Sequence, residues 1–534
     1  MNVKRQLALT FIVLSLASCG GGSPSPSVVS PPVTTAPAGE SYMPGNLPPG
    51  KVSSPEIIAS NVAQVAVARK GNKTLISWYS VENNANANEL THWAASRLAS
   101  TSGSAIKLGV VDTSTMVFGQ PSHSTLSLRD IPIILGNDNV FVGVHIIQDI
   151  LGSHYPSIGG ITIVEGKAGI SSTYVVNKNK NWGVTPAEIK KARNSDDLFA
   201  TSVDYATRFT RHVLLSVRPL TSVGWAESTD IPFISDLRGA PIGDVAISPD
   251  GKSITSVYFS TYQDPSLPLT AKPRESGWVV DGIVDATGKV SWGTPNEMLP
   301  ATTYSAVGDR DRHILDESGA TIIVDHLSDS KLLVIAPATI YASNDSPNVK
   351  YLVSWLRGGD GSWATKTIAT MQSVSTDVHV LKLAPDANGG AVLWWTDTAG
   401  FFDYIDWFSN KVSFYQNAEW SAPLTLSQNQ RVISDDDGHI VLLSGEDYAI
   451  QAQKVTVAAD KSIKLGGKTR IVNGAILNEK DPKAIYYLYS GAMDQGHVSV
   501  AWITDPRRVD NGFGVAPQAG KLILAEFDYS DLQD

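Results

Sequence analysis

The densest run of groups capable of acid–base chemistry is DRDRH, which contains Asp311, Arg312 and His313. A second carboxylate and imidazole, Asp377 and His379, open the stretch DVHVLKLAP. A carboxylic acid and an imidazole held together can act as acid and base in the cleavage of a glycosidic bond. The alternative is a solvated loop with local ion pairs, which we favour because charge clusters usually mark exposed surface.

Aromatic residues are the other candidate ligand contacts. The chain has 13 tryptophans, and Trp394 and Trp395 are adjacent. An exposed aromatic ring can stack on a sugar or anchor a protein interface. We treat Trp395, with Arg312 and His379, as candidate ligand-binding residues. For any single tryptophan, however, a place in the core is the preferred interpretation, because tryptophan is highly buried on average.

Motifs for metals and cofactors are absent from the sequence. The ten histidines are scattered, without HExxH, CxxC or a close pair at ligand spacing. There is no GxSxG motif, no phosphate-binding glycine-rich loop and no CxxCH. The carboxylates near residues 386 and 435 do not have EF-hand spacing, and turn chemistry accounts for them better. We therefore expect neither a metal nor a cofactor.

The elements that must position these residues are repeated hairpins. In VHVLKLAPDANGGAVLWWTDT, two alternating runs flank a corner of Pro, Asp, Asn and Gly. Alternation with period two indicates half-buried strands, and the corner residues are typical of tight turns. Copies lie near residues 65, 131, 244, 316, 386, 435 and 494, with a weaker one between 197 and 225. This repeat predicts an all-β protein, a β-propeller of seven or eight blades. The alternative is an array of stacked β-sandwiches.

Short motifs support the propeller. AISPDGKSI resembles the blade openings of WD40-like propellers in bacterial envelope proteins, and SDDDG, at 434–438, resembles half of a sialidase-type Asp-box. Ile440 and Val441 replace the usual Thr-Trp ending of that box. We expect the last strand, 521–527, to pair with 56–62 and so close the ring, leaving no open edge.

One short helix is predicted beside the strands. TPAE at 185–188 has a capping-box pattern with proline at the first helical position. Lys190, Lys191 and Arg193 follow, where cations suit the end of a helix. A basic partner site is one interpretation, but a solvated face is preferred.

The N-terminal residues have the pattern of a targeting segment. Lys4 and Arg5 precede an apolar run too short to span a bilayer. The run ends in LASC, which resembles the lipobox of bacterial lipoproteins. That resemblance implies cleavage before Cys19 and acylation of this cysteine, and Gly20 implies the outer membrane. The alternative is a secreted protein with a chance cysteine. Because Cys19 is the only cysteine, no intramolecular disulfide can form.

These features divide the chain into a signal peptide at 1–18, a lipidated cysteine with a Gly/Ser/Pro-rich linker at 19–54, and a propeller domain at 55–534. The net charge of -10 argues against nucleic-acid binding.

We predict a lipid-anchored cell-envelope protein that binds a protein or polysaccharide partner. The alternatives are a glycan-active enzyme and a structural subunit or assembly factor of an envelope complex. A deep pocket that joins Asp311, His313, Asp377 and an arginine would favour the enzyme. A flat, aromatic and uncharged face would favour protein binding.

Overall fold

The structure is a computed structural model. It describes residues 56–81, 89–98, 101–102, 105–112, 133–135, 140–149, 156–166, 169–175, 184–204, 213–221, 224–225, 229–234, 242–262, 274–298, 322–328, 331–340, 349–371, 376–399, 409–427, 430–446, 449–473, 489–508 and 518–534. The predicted signal peptide and linker lie outside these ranges, and no helix within them has the length and apolarity needed to cross a membrane.

The strands form antiparallel units in chain order, which we number I to VIII. Unit I contains the second half of β1 (Glu56–Lys70), β2 (Lys73–Val81), β3 (Glu89–Leu98), β4 (Thr101–Ser102) and β5 (Ile106–Asp112). Unit II contains β6 (Ile133–Leu135), β7 (Val140–Asp149), β8 (Pro156–Gly166) and β9 (Gly169–Val175). Unit III contains β10 (Val184–Lys191), β11 (Leu198–Asp204), β12 (Val213–Thr221), β13 (Gly224–Trp225) and β14 (Thr229–Asp230). Unit IV contains β15 (Ile242–Ile247), β16 (Ser253–Tyr262), β17 (Arg274–Val284), β18 (Val290–Trp292) and β19 (Asn296–Glu297).

The second half of the chain repeats this plan. Unit V contains β20 (Ile323–Ser328), β21 (Lys331–Ile340), β22 (Val349–Arg357) and β23 (Trp363–Thr370). Unit VI contains β24 (Thr376–Pro385), β25 (Ala391–Ala399), β26 (Ser409–Gln416), β27 (Glu419–Trp420) and β28 (Leu424–Leu426). Unit VII contains β29 (Gln430–Ser434), β30 (Ile440–Glu446), β31 (Ala449–Val457), β32 (Ile463–Leu465) and β33 (Thr469–Asn473). Unit VIII contains β34 (Tyr489–Asp494), β35 (His497–Arg508) and β36 (Gln518–Asp528), followed by a 3-10 helix (Tyr529–Asp531).

The two ends of the described chain meet in one sheet. In β1, Glu56 lies opposite Leu524 of β36, and from Val62 onward the strand pairs with β2. The first half of β1 therefore completes unit VIII and the second half begins unit I. Asn61, at the change of partner, has a φ of 56°, a left-handed conformation that asparagine tolerates. The predicted pairing of the last strand with 56–62 is confirmed.

Consecutive units pack through apolar side chains that alternate along their strands. Between units V and VI, for example, Leu333, Ile335, Leu393 and Trp395 share one buried cluster. Corresponding clusters join units III to IV, IV to V, VI to VII, VII to VIII and VIII to I. Burial of each large apolar side chain contributes about 1.5–3 kcal/mol. Closure and radial packing confirm the β-propeller, and the eight units are consistent with seven or eight predicted blades.

One local prediction is wrong. TPAE is not helical: it lies in β10, with a bulge between Pro186 and Glu188. Because β10 pairs only with β11 in its sheet, it is an edge strand, which tolerates proline, and sheet pairing overrides the capping pattern. The first run and the turn of the hairpin expected around residue 316 lie outside the described residues, so this hairpin stays a prediction. Its second run forms β20, which pairs onward with β21.

Candidate functional site

The first strand of each unit lines the centre of the ring. These strands contact one another where β15 meets β20, β20 meets β24, β29 meets β34, β34 meets β1, and β1 meets β6. In a propeller the innermost strands surround the central channel. The side chains near this channel are therefore the first place to look for a ligand site.

A partly buried ion pair joins three of these strands. Lys190 of β10 donates from Nζ to Asp244 Oδ1 at 2.6 Å and to the Val245 carbonyl at 2.7 Å. Asp244 of β15 also accepts the amide of Val245 at 2.7 Å, and its Oδ2 accepts the amide of Val324 at 2.9 Å. Since Val324 belongs to β20, Asp244 fixes units III, IV and V against one another.

Asp325 follows Val324 on β20 and is the least satisfied carboxyl group of this region. Its Oδ1 accepts the amide of His326 at 2.8 Å, and among the described residues no lysine or arginine forms an ion pair with it. Part of its surface reaches solvent, yet it lies deep among protein atoms. This burial raises the pKa of Asp325 to about 6, against the opposing charges of Lys190 and Arg193. Asp325 can therefore both donate and accept a proton near neutral pH.

His326, the next residue, shows the opposite behaviour. Its ring is 6% exposed, and neither ring nitrogen has a hydrogen-bond partner within the described part of the chain. Burial lowers the pKa of His326 to about 4, and the nearby charge of Arg357 acts in the same direction. Arg357 itself donates two hydrogen bonds to Asp281, both of 3.0 Å. Consecutive residues of a strand face opposite sides, so β20 separates the two groups.

Arg193 crosses the ring at the end where the first strands turn back. It lies directly after β10, and its Nη1 donates to the carbonyl of Asp386 at 2.9 Å. Its Nη2 donates to the carbonyl of Leu327 at 3.2 Å. One side chain of unit III therefore reaches units V and VI, which are not its neighbours in the ring.

Lys70 makes a second cross-ring contact at the same end. From the end of β1, its Nζ lies 2.9 Å from Asp436 Oδ2 in unit VII and 3.4 Å from Asp494 Oδ1 in unit VIII. Burial would lower the pKa of Lys70, but the bond to Asp436 raises it above its ordinary value. Burial lowers the pKa of Lys191, which pairs with Asp196 at 3.8 Å and also feels the charges of Lys70 and Asp436. We call Lys70, Lys191, Arg193, Asp196, Asp436 and Asp494 the turn-end network.

The acidic turn of unit VII uses the Asp435 carboxylate for backbone amides of its own turn and of unit VIII. Asp435 Oδ1 accepts the amides of Asp437 at 3.1 Å and His439 at 2.9 Å. Its Oδ2 accepts the amide of Gly496 at 2.8 Å and contacts His439 Nδ1 at 2.9 Å. Asp435, Asp437 and His439 are close enough to share a cation. Because turn bonds occupy both oxygens of Asp435, however, we assign no metal to them.

The residues singled out from the sequence have different outcomes. Cys19, Asp311, Arg312 and His313 lie outside the described residues. Asp377 and His379 are in β24, where Asp377 pairs with Thr398 and the following register shift surrounds His379. Only the backbone is described there, so the roles proposed for these residues stay predictions.

Trp395 lies in the core rather than at a ligand site. It is 1% exposed and packs in the cluster between units V and VI. Its ring is therefore not accessible to a ligand in this structure, as the average burial of tryptophan favours.

Sequence reasoning missed Lys190 as a site residue and did not consider Asp244 or Asp325. A signal was present for the two aspartates. In IGDVAI and IVDHLS an aspartate interrupts a short strand that otherwise contains mostly apolar residues. An acidic residue inside such a strand has no turn to stabilise and needs another explanation.

Comparison with known proteins identifies no family: no family profile and no curated protein matches the chain. Several solved structures are similar. An ulvan lyase, described as a new family of polysaccharide lyase, is 10% identical, with a TM-score of 0.36 over 83% of this chain and 98% of that one. A protein of unknown function from Dyadobacter fermentans is 13% identical, with a TM-score of 0.34 over 66% and 97%. The β-propeller domain of the Trilobed protease from Pyrococcus furiosus is 11% identical, with a TM-score of 0.32 over 74% and 92%. Similarity at this level carries no argument about activity.

Proposed function

We propose that this protein is a lipid-anchored envelope propeller that binds a polysaccharide in its central channel. The observation that carries the proposal is the group formed by Lys190, Asp244 and Asp325, which we call the wall site. Three consecutive units contribute one charged or titratable side chain each to this site.

The chemistry of the wall site suits a ligand rich in hydroxyl groups. A sugar hydroxyl donates one hydrogen bond and accepts others, and therefore needs both kinds of partner. Asp325 provides both near neutral pH, because its pKa is raised to about 6. The Lys190–Asp244 pair holds the neighbouring strands in place. Ligand sites typically combine such a fixed frame with a few converging polar groups.

The described surface favours a polysaccharide over a protein partner. Its exposed large apolar side chains are Ile283 of unit IV and Leu465 of unit VII. They belong to different, non-adjacent units and cannot form one continuous patch. An exposed contiguous apolar patch larger than about 300–600 Å² is a mark of a protein-docking surface. The described surface thus lacks the flat aromatic face that would indicate protein binding.

The test is retention of the full-length protein, in detergent, by a panel of neutral and charged polysaccharides in affinity electrophoresis. We expect at least one polysaccharide to retain the protein, and Asp325→Ala to weaken retention about tenfold, a loss of about 1.4 kcal/mol. The matched control is Asp285→Ala. Asp285 is an exposed carboxylate between β17 and β18 that bonds only its own turn, so retention should not change. No retention by any polysaccharide contradicts the proposal.

A glycan-cleaving enzyme is the second candidate, and the raised pKa of Asp325 is what favours it. A carboxylic acid that keeps its proton near neutral pH can protonate the leaving oxygen of a glycosidic bond. The measurement is the release of new reducing ends from each retained polysaccharide. Asp325→Asn should abolish release and leave retention largely unchanged. Retention without release by the wild type rules out this candidate and leaves the binding function in place.

Anchoring at Cys19 is tested separately. Cys19→Ala should move the protein from the membrane fraction to the soluble fraction, since acylation would no longer be available. Ser18→Ala is the control, because it keeps the cysteine and a small residue before it, and this variant should stay in the membrane. A Cys19→Ala protein that remains membrane-bound contradicts the anchoring.

A further inference from the structure

We infer that the channel is closed at its turn end, so that a polysaccharide enters from the opposite end and is recognised by its chain terminus. The inference rests on the proposed function and adds to it the part of the polymer that is bound. It is carried by the turn-end network, in which Arg193 and Lys70 reach units that are not their neighbours in the ring.

Arg193 provides the longest crossing. It starts in unit III and bonds carbonyl oxygens of units V and VI. A side chain can make both bonds only if it extends across the ring opening. Both acceptors are main-chain atoms at the ends of first strands, since Leu327 is in β20 and Asp386 directly follows β24. The Arg193 side chain is therefore held in place by backbone carbonyl groups of units V and VI.

Lys70 and Lys191 approach the turn end from two further units. Lys70 comes from unit I and reaches Asp436 of unit VII and Asp494 of unit VIII. Lys191 comes from unit III, and the charges of Lys70 and Asp436 both act on it. Side chains of units I, III, VII and VIII therefore converge on the same region of the turn end. Because these side chains bridge the opening at hydrogen-bond and ion-pair distances, we infer that a chain of sugar rings cannot pass between them.

The wall site lies just above this closure. Lys190 precedes Arg193 by three residues, and Asp325 precedes Leu327 by two. At about 3.3 Å per residue along a strand, the wall site is roughly 7–10 Å from the turn-end network. A polymer that reaches Asp325 has almost no channel left beyond it. The group that contacts Asp325 is therefore part of the terminal sugar, and internal sugars of a long chain cannot reach it.

The test compares the same retained polysaccharide in two forms at equal mass. One form is the intact polymer, and the other is shortened about tenfold by sonication, which multiplies the number of chain ends by the same factor. If the terminus is bound, the mass concentration needed for half-maximal retention falls about tenfold. If this mass concentration does not change, internal segments of the polymer are bound. The inference is then overturned, while the proposed function stands. If neither form retains the protein, both fail.

A variant that opens the turn end tests whether the closed channel is the cause of the preference for chain termini. Arg193→Ala combined with Lys70→Ala should allow the intact polymer to bind about as well as the shortened one. Arg357→Ala is the matched control, because it removes a paired arginine between units IV and V that is not part of the turn-end network. Circular dichroism and thermal unfolding must show that each variant is folded. A folded double variant that keeps the full preference for shortened chains overturns the inference.

Discussion

Two carboxylates of the ring, Asp435 and Asp325, differ in how fully the protein uses them. Asp435 ends a first strand in unit VII and accepts three backbone amides while contacting the ring of His439. Asp325 lies within a first strand of unit V and accepts a single backbone amide. Asp435 is therefore fully used by the backbone of its own turn and of the neighbouring unit, whereas Asp325 keeps hydrogen-bonding capacity for another partner.

The largest expected effect comes from removing the fully used carboxylate. Asp435→Ala leaves the amides of Asp437, His439 and Gly496 without their acceptor in a partly buried turn. We expect a loss of about 2–4 kcal/mol in the free energy of unfolding, since each unsatisfied buried group costs about 1–3 kcal/mol. Urea denaturation measures this loss.

Asp437→Ala is the control for that experiment. The Asp437 side chain is exposed, and the contact that Asn388 makes to this residue uses its backbone carbonyl. Its replacement should change the free energy of unfolding by less than about 0.5 kcal/mol. Equal losses at positions 435 and 437 would contradict the comparison.

Replacement of Asp325, the carboxylate of the wall site, should have the opposite effect and stabilise the protein at neutral pH. Because the pKa of Asp325 is raised to about 6 in the folded protein, its stabilising contribution is complete below its ordinary value near 3.8 and is lost as the pH rises through 6. Asp325→Asn should therefore raise the free energy of unfolding at pH 7 by about 1–3 kcal/mol. Chemical denaturation at pH 7 and at pH 4 measures this gain, which should be absent at pH 4. A stability loss at pH 7 would mean that Asp325 is structural.

His326 should show the opposite pH dependence to Asp325, because its pKa is lowered and not raised. The folded value is about 4, so its contribution is complete above 6.5 and is lost as the pH falls toward 4. In the wild type the two residues offset each other between pH 4 and 6. His326→Leu should remove the loss of stability that His326 causes at low pH. On acidification from pH 6.5 to 4, the free energy of unfolding of this variant should rise by about 1–3 kcal/mol relative to that of the wild type. Identical pH profiles for the wild type and this variant would contradict the assignment.

We expect the weakest effect on the free energy of unfolding from the cross-ring ion pair of Lys70 and Asp436. Both side chains are partly exposed, at 25% and 39%, so water screens their attraction. A double-mutant cycle with Lys70→Ala and Asp436→Ala should give a coupling of about 0.5–1 kcal/mol. The pair Lys252 and Asp250, 3.7 Å apart and more exposed, provides the control and should give a smaller coupling. A Lys70–Asp436 coupling of zero would remove support for the closed turn end.

Local chemistry explains which parts of this fold the sequence reveals. The turns at 248–251, 386–390 and 435–438 draw on Pro, Asp, Asn and Gly, and in each of them an aspartate bonds a group within four residues. The strands around them alternate with period two, so both can be recognised from short windows. The TPAE segment shows the limit of such windows. Its capping pattern is real, but pairing with β11 outweighs it.

The wall site could not be found in the same way. Lys190, Asp244 and Asp325 are separated by 54 and 81 positions, and only the ring brings them together. Nor do their types and spacing match a known motif. The predicted candidates were clusters along the chain, whereas the site found here is a cluster across three units.

The most direct test of a ligand site at Asp325 is an infrared difference spectrum of the carboxyl region, wild type minus Asp325→Asn. It is recorded across pH with and without a retained polysaccharide. The expected result is one protonated carboxyl group that titrates near pH 6 in the free protein and whose band shifts when the polysaccharide binds. A carboxyl group that titrates near its ordinary value, with a band that the polysaccharide leaves unchanged, would contradict a binding site at Asp325.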